Sequence, residues 1–378
     1  MTDRYEEDGY SSEVEENTSI TNPEVVQKYK FAAAFATKAL KAIYKEAKKG
    51  SSVYELCCLG DKIITEECSK VYCKKGDNRV DKGIAFPTCI SVNEAVCHFS
   101  PDLEESKNNQ VLSSGDVVRI DLGCHVDGYC SVTADTFVVG EAPITGKQAD
   151  VILAAHSALD IVTRALRPGV SYYAITELME KVAKEYGVNC VEGVFSHRMS
   201  RYIIDGAHVI AGKDVPEGKV RDMEIEENEV WAIDILMTTG SGKLKERDQR
   251  PLVFKKSLDN NYQLKLQASR DVFNEVNQRF QTFPFSIRHL DQKRGRIGLQ
   301  ECLRNEMVDP YPILYERDGE CVAHVKCSVL VTPTKIENIT GAVFDESMYK
   351  SECQIRDETL LDWQLKSLKL KEKKANAT

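Results

Sequence analysis

The chain lacks long apolar runs. No stretch of about 18 apolar residues occurs in its 378 positions, so no membrane-spanning helix is expected. No apolar segment follows Met1, so no signal peptide is expected either. The 13 cysteines are an odd number, and none forms a Cys-x-x-Cys pair. They sit mostly in apolar runs, as at Cys57-Cys58 and Cys97, and read as buried free thiols of a reducing compartment. Low-complexity blocks, short-period repeats and an RNP-type aromatic signature are all missing. Positive charge is also in deficit: the formal net charge of -9 argues against a protein that coats nucleic acid generally, while leaving local patches open. What is present is enough apolar material, 42% of residues, for a sizeable core in one large domain or two smaller ones.

The most informative stretch is Gly115-Asp116-Val117-Val118-Arg119-Ile120-Asp121-Leu122-Gly123, followed by Val126-Asp127-Gly128-Tyr129 and a return to Thr136-Phe137-Val138. It predicts a buried strand, a tight turn and a second strand. Asp121 sits inside the apolar run, and a buried carboxylate is costly unless a metal, a cation or hydrogen bonds compensate it. The same grammar returns at Glu229-Val230-Trp231-Ala232-Ile233-Asp234-Ile235. Two such strands suggest two related halves facing one pocket.

Residues 1–20 are acidic and Ser/Thr-rich and read as a disordered N-terminus. Asn22-Pro23 opens a helix whose lysine-rich end precedes Gly50. Ser52-x-x-Glu55 is a capping box for the next helix. Ile84 to Phe99 reads as extended. Further helices are expected from about Lys147 to Leu166 and from Ser171 to Gly187. A change in composition marks an insert at about 252–312, with helices near Arg270–Phe280 and Leu299–Met307, before a strand ends at Val331. The body of the fold is placed at 21–345. Residues 346–378 form a C-terminal segment in which Lys366, Lys369, Lys371, Lys373 and Lys374 belong to a helix fraying into a basic tail.

His98 in Asn93-Glu94-Ala95-Val96-Cys97-His98, the strand through Ile120-Asp121, Asp127-Gly128-Tyr129, Thr136-Phe137, Arg167-Pro168-Gly169 and Ser196-His197 together resemble the methionine aminopeptidases. The resemblance runs from about Asn22 to Val331, and the insert is like that of the type 2 enzymes. It implies an α+β pita-bread fold: a curved antiparallel sheet with helices outside it, in pseudo-two-fold halves. It also implies a pocket holding two divalent metals on two Asp, one His and two Glu. Residue by residue, the first Asp falls on Asp121 and the His on His197. The second Asp falls on Val132, with Asp135 three residues on and facing the other way on a strand. The first Glu falls on Asp234, and the bridging Glu on Lys326. The substrate-contacting His falls on His98, and a later pocket His on Asp205. An ammonium has no lone pair to give a metal, but it neutralises carboxylates. The expectation is therefore a degenerate pocket with no catalytic residue, no metal and no other cofactor, in which Lys326 compensates Asp121 and Asp234. Cys97, Cys124 and Cys327 read as packing residues.

Lysine at the bridging position and the Phe285-Ser286-Ile287-Arg288 segment are similar to one branch of these proteins: the proliferation-associated, receptor-binding and curved-DNA-binding relatives, which are non-catalytic. That resemblance implies binding to RNA and the large ribosomal subunit, with DNA and protein as further partners and no membrane. It also implies a role in translation, ribosome biogenesis and growth control, in cytoplasm and nucleus with the nucleolus as a further address. The candidate contact residues are Lys243, Lys245, Arg247, Arg250, Lys255, Lys256 and Lys265, with a second basic knot at Lys293, Arg294 and Arg296 around Gly295. Charge runs are usually solvated faces, so the resemblance carries this reading. The alternative is a metal-dependent aminopeptidase-like hydrolase with an altered site.

Overall fold

The computed structural model describes residues 18–73, 80–108, 110–216, 219–291 and 293–370. Its centre is an antiparallel sheet whose main path has seven strands: β1 (Lys82–Val92), β2 (Val117–Val126), β3 (Tyr129–Val138), β4 (Phe195–Met199), β5 (Val209–Ala211), β6 (Glu229–Thr238) and β7 (Val322–Val331). Their spatial order is β1-β2-β3-β7-β6-β4-β5. The β2–β3 hairpin turns on Asp127 and Gly128, both at positive φ (57° and 79°), the pattern that lets a two-residue turn follow the strand twist. A Cβ on Gly128 would lie 2.6 Å from the Tyr202 ring, so glycine is required there on packing grounds too.

Helices cover one face of this sheet. In the first half, α1 (Pro23–Glu46) lies over β2 and β3, and α2 (Val53–Cys68) lies over β1. The Asn22 side chain accepts from the Glu24 N–H, and Ser52 from the Glu55 N–H, so both helices start where the caps place them. Ala32, Ala36, Leu40, Ile43, Leu56 and Ile64 meet Val118, Ile120 and Leu122 in one core cluster. In the second half, α3 (Gly146–Ala165) and α4 (Tyr172–Glu185) pack against β6 and β7 around Trp231, Ile233, Val325 and Val329. Alternation along each strand leaves the opposite face to Asp121, Asp234 and Lys326.

The insert is not purely helical. Besides α5 (Gln267–Arg279) and α6 (Arg294–Arg304), it contains a small sheet of Val253–Lys256, Phe285–Ser286 and Val308–Tyr311. Phe254, Val272, Val276, Phe280, Phe285, Leu299 and Cys302 give it a core of its own. Two readings at the chain ends need correction. Ile20, taken with the acidic N-terminus, is buried among Val25, Tyr29 and Phe86, because one apolar side chain before the Asn22 cap has a pocket to fill. Residues 1–17 lie outside the described residues. The last helix, α7 (Glu358–Leu365), does not fray through Lys366 and Lys369. The chain turns extended, and the Ile336 N–H donates to the Leu368 carbonyl (2.9 Å) while Leu368 and Leu370 pack on the second-half core. Lys371, Lys373 and Lys374 lie outside the described residues.

The insert docks on the first half partly through His125 in β2, which stacks on Phe283 at 4.5 Å between centroids. Its Nδ1 is buried and has no hydrogen-bond partner among the described residues, and burial pushes its pKa down to about 4. The unfolded chain takes up this proton near pH 6.5 and the folded chain only near 4. Stability is thus full above about pH 6.5 and falls as the pH drops through that window, by about 3 kcal/mol from this group. His125→Phe keeps the stack and removes the proton site. Urea melts at neutral pH and near pH 4 should show a smaller acid loss in the variant by that amount; equal losses would mean the imidazole is solvated.

Candidate functional site

The sheet register brings the singled-out residues together. Asp121 lies opposite Ala134 on β3, Ala134 opposite Lys326 on β7, and Lys326 opposite Asp234 on β6. Residues directly opposed across strands share a face, so one line across the sheet carries carboxylate, methyl, ammonium and carboxylate. Lys326 Nζ lies 2.9 Å from Asp121 Oδ2 and 2.9 Å from Asp234 Oδ2. It also sits 5.4 Å from the centre of the Phe86 ring. The second oxygen of Asp234 accepts from His324 Nε2 at 2.8 Å, while Asp121 Oδ1 has no partner among the described residues. Burial works against each charge. It pulls the Lys326 ammonium down, but the Asp121 and Asp234 carboxylates outweigh it and hold the lysine well above its ordinary pKa. Burial likewise pushes Asp234 up, but Lys326 and His324 hold it well below the usual carboxylate range.

A cavity of about 320 Å³ opens onto this line. His98, Asp121, Val132, His197, Asp205, Asp234 and Lys326 all line it, with Phe86, Phe195, Ile204, Tyr311 and His324 among the others. His98 has φ 63° and bonds the Pro312 carbonyl through Nδ1 (2.8 Å), and burial lowers its pKa. His197 Nδ1 bonds the Gly206 carbonyl (3.0 Å). Asp205 is held by Lys255 at 2.6 Å. Asp135 is on the helix side of the sheet, fully buried, with His156 Nε2 at 2.9 Å and the Val343 N–H at 2.7 Å. Cys97 and Cys327 are pushed up to about 12 by burial, which keeps them as thiols.

His324 was not read from the sequence as a pocket residue. Its signal was available: it stands two positions before Lys326 on a strand and so points to the same face. The two halves also meet in an unexpected way. Between β3 and β7 the ladder is bridged by hydroxyls. The Val132 N–H donates to Ser328 Oγ (2.9 Å), Ser328 Oγ donates to the Val132 carbonyl (3.1 Å), and the His324 N–H donates to Thr136 Oγ1 (2.7 Å).

The donor set does not fit two divalent cations. An ammonium with three N–H groups stands between the two carboxylates, and Val132 offers no lone pair. Among the described residues no three His, Cys, Asp or Glu side chains converge in a ligand geometry.

The basic residues do not form one free patch. Arg247 pairs with Asp318 (2.7 Å) and stacks on Tyr315, Lys255 pairs with Asp205, and Arg296 pairs with Asp102 (2.5 Å). Lys243 approaches Glu192 at 4.0 Å, and Lys256 lies over Phe273. Gly295, between Arg294 and Arg296, is buried, and a Cβ there would lie 2.8 Å from Leu290 Cβ. Lys245, Arg250, Lys265, Lys293 and Arg294 are exposed and carry no ion pair among the described residues. The partners Asp318, Asp205 and Asp102 are remote in sequence, so the linear cluster gave no sign of them.

A curved antiparallel sheet with helices on its outside, in two halves around this pocket, is a pita-bread fold of the methionine aminopeptidase kind. The profile of metallopeptidase family M24 matches residues 27–250. The chain is 42% identical to the ErbB-3 binding protein 1 of Solanum tuberosum, over 88% of this chain and 85% of that one. It is 37% identical to the curved DNA-binding protein of Schizosaccharomyces pombe, over 96% of each. A solved thermophilic Arx1 superposes with a TM-score of 0.86 at 29% identity, over 92% of this chain and all of that one. The chain belongs to metallopeptidase family M24, in the branch of receptor-binding and curved-DNA-binding relatives of the methionine aminopeptidases. Among the described residues no helix is long and apolar enough to cross a membrane.

Proposed function

We propose that this protein is a non-catalytic member of its family that binds RNA and the large ribosomal subunit, with a role in translation, ribosome biogenesis and growth control in cytoplasm and nucleus. The observation that carries the non-catalytic part is the Lys326 ammonium seated between Asp121 and Asp234. A hydrolase of this family needs cations and a bridging carboxylate at that point; here a fixed positive side chain takes the place. Support for the nucleic-acid part comes from the name of the curved DNA-binding relative, from the sequence resemblance, and from the exposed, unpaired Lys245, Arg250, Lys265, Lys293 and Arg294. Without an aromatic signature, recognition follows shape and backbone more than base sequence.

Two measurements test this. Calorimetric titration with cobalt, manganese and zinc should give no pair of tightly held metals; two equivalents retained after desalting would overturn the non-catalytic reading. In sedimentation the protein should travel with the large subunit at low salt and leave it as salt rises. Neutralising the five free cations should flatten that dependence by about 0.7–0.9 log units per lost phosphate contact. Substitutions at His98 and His197 should leave it unchanged. Protein that never travels with the large subunit would sink the ribosome assignment.

A further inference from the structure

The outer face of α1 carries a feature that neither the pocket nor the insert explains. At 3.6 residues per turn, Gln27, Lys30, Ala34, Lys38, Lys41 and Lys45 fall within about 80° of arc. All six are exposed, and the row continues past the helix end with exposed Lys48 and Lys49. No acidic residue lies on that arc, in a chain whose formal net charge is -9. Lys30 and Lys38 are tethered by Glu337 and Glu67, each at 2.7 Å. Lys41, Lys45, Lys48 and Lys49 pair with no carboxylate among the described residues. Attraction to the helix C-terminus accounts for a lysine in the last turn, but that effect fades within one turn and leaves Lys41 unexplained. Beside the row runs a shallow trough of about 490 Å³ between α1 and residues 339–341, lined by Ala34, Thr37, Lys38, Lys41 and Thr340 among others. Gly341 is pressed onto the helix there, its N–H donating to Thr37 Oγ1 at 2.9 Å.

We infer that this face of α1 is a docking surface for the phosphate backbone of duplex RNA, with Lys41, Lys45, Lys48 and Lys49 as the contacting cations. The inference rests on the proposed RNA binding and names a surface for it apart from the insert. Lys41 and Lys45 stand one turn apart, about 6 Å along the helix axis, and Lys48 and Lys49 carry the row past the helix end, so the four can meet successive phosphates. The exposed positions of α1 include no aromatic ring, so there is nothing for unstacked bases to lie on, which favours a duplex over a single strand. Insertion into a membrane surface would need a free apolar face, and the apolar face of α1 is buried in the core. The row lies on the side of the sheet away from the Asp121–Lys326 pocket, so the two can be altered independently.

The test is the affinity of the full chain for a short RNA duplex between about 50 and 200 mM salt, by fluorescence anisotropy. For Lys41→Gln, Lys45→Gln, Lys48→Gln and Lys49→Gln combined, loss of four contacts should lower the salt slope by about 3, so the fourfold rise in salt costs the variant about 60-fold less affinity than it costs the parent. The same four positions changed to Arg should bind like the parent, and Ala34→Asp, which removes no lysine, should weaken binding. Melting temperatures of all three should match the parent, because the changed side chains make no buried contact. A quadruple Gln variant with the parent's affinity and slope would overturn the surface while leaving ribosome binding by the insert intact. A parent that binds neither RNA nor ribosomes would instead sink the proposed function. Lysine-dependent binding to anionic phosphatidylserine vesicles but not to RNA would overturn the choice of partner.

Discussion

Lys326→Met is expected to cost about 3–5 kcal/mol of stability at neutral pH, the size seen when one partner of a buried ion pair is removed. The geometry says why. Asp121 and Asp234 face each other across two strands with only the Lys326 ammonium between them, 2.9 Å from each. Methionine fills the space and leaves two carboxylates desolvated, of which only Asp234 keeps a donor, His324. Because an unpaired buried carboxylate takes up its proton above the ordinary carboxylate range, the deficit should begin to shrink above about pH 4 and go on shrinking below it. In the parent, Asp234 is held below its ordinary pKa, so its contribution is present above about pH 4 and is lost as the pH falls toward the folded value. Chemical denaturation across that range measures both. A variant that melts like the parent at neutral pH would mean that the lysine is solvated. Val132→Asp with Lys326→Glu makes the opposite change. It replaces the ammonium with donors for metal, so added cobalt should raise its melting temperature while the parent's stays put, with little or no peptidase activity.

How far this could be read from the sequence depended on distance along the chain. The two Ile-Asp strands were legible because each carried its anomaly locally: a carboxylate in an apolar run. The resemblance to the methionine aminopeptidases then put Lys326 with them, and Asp121, Asp234 and Lys326 meet in one line. The caps at Asn22 and Ser52 were equally local. What failed to show was anything whose partner is far away. The lysines from 243 to 265 looked like a single patch until Asp205 and Asp318 were found holding two of its cations. The lysines of α1 read only as a helix end, since a row on one helix face is scattered in the linear order. Ser328 and Thr136 gave no sign that they bridge the two halves, because a hydroxyl in a strand looks the same whether it faces solvent or a neighbouring strand.

The segment Phe285–Arg288 is the sharpest case, because the sequence marked it without a reason. Arg288 reaches back to Asp61 in α2, and the same Asp61 Oδ2 accepts from His289 Nε2 at 2.7 Å, while its Oδ1 accepts from the Thr88 N–H at 2.9 Å. Arg288 also donates to Ser100 Oγ (2.8 Å) and the Pro101 carbonyl (3.1 Å). One buried carboxylate thus ties the insert to α2 and β1. Burial pushes Asp61 up, but Arg288 and His289 hold it well below the usual range; burial pulls Arg288 down, and Asp61 more than restores it. Asp61→Asn keeps the shape and removes the charge, leaving a guanidinium buried without its counter-ion. The expected loss is about 3–5 kcal/mol at neutral pH. With a depressed folded pKa, Asp61 contributes fully above about pH 4, and its contribution fades as the pH falls toward the folded value, so parent and variant should converge in acid. Asp61→Leu combined with Arg288→Met removes both charges together and should lose much less than the sum of the single changes, because neither is then left unpaired. Additive losses in that double-mutant cycle would show that the two side chains stabilise the fold separately, and that their pairing does not tie the insert to the first half.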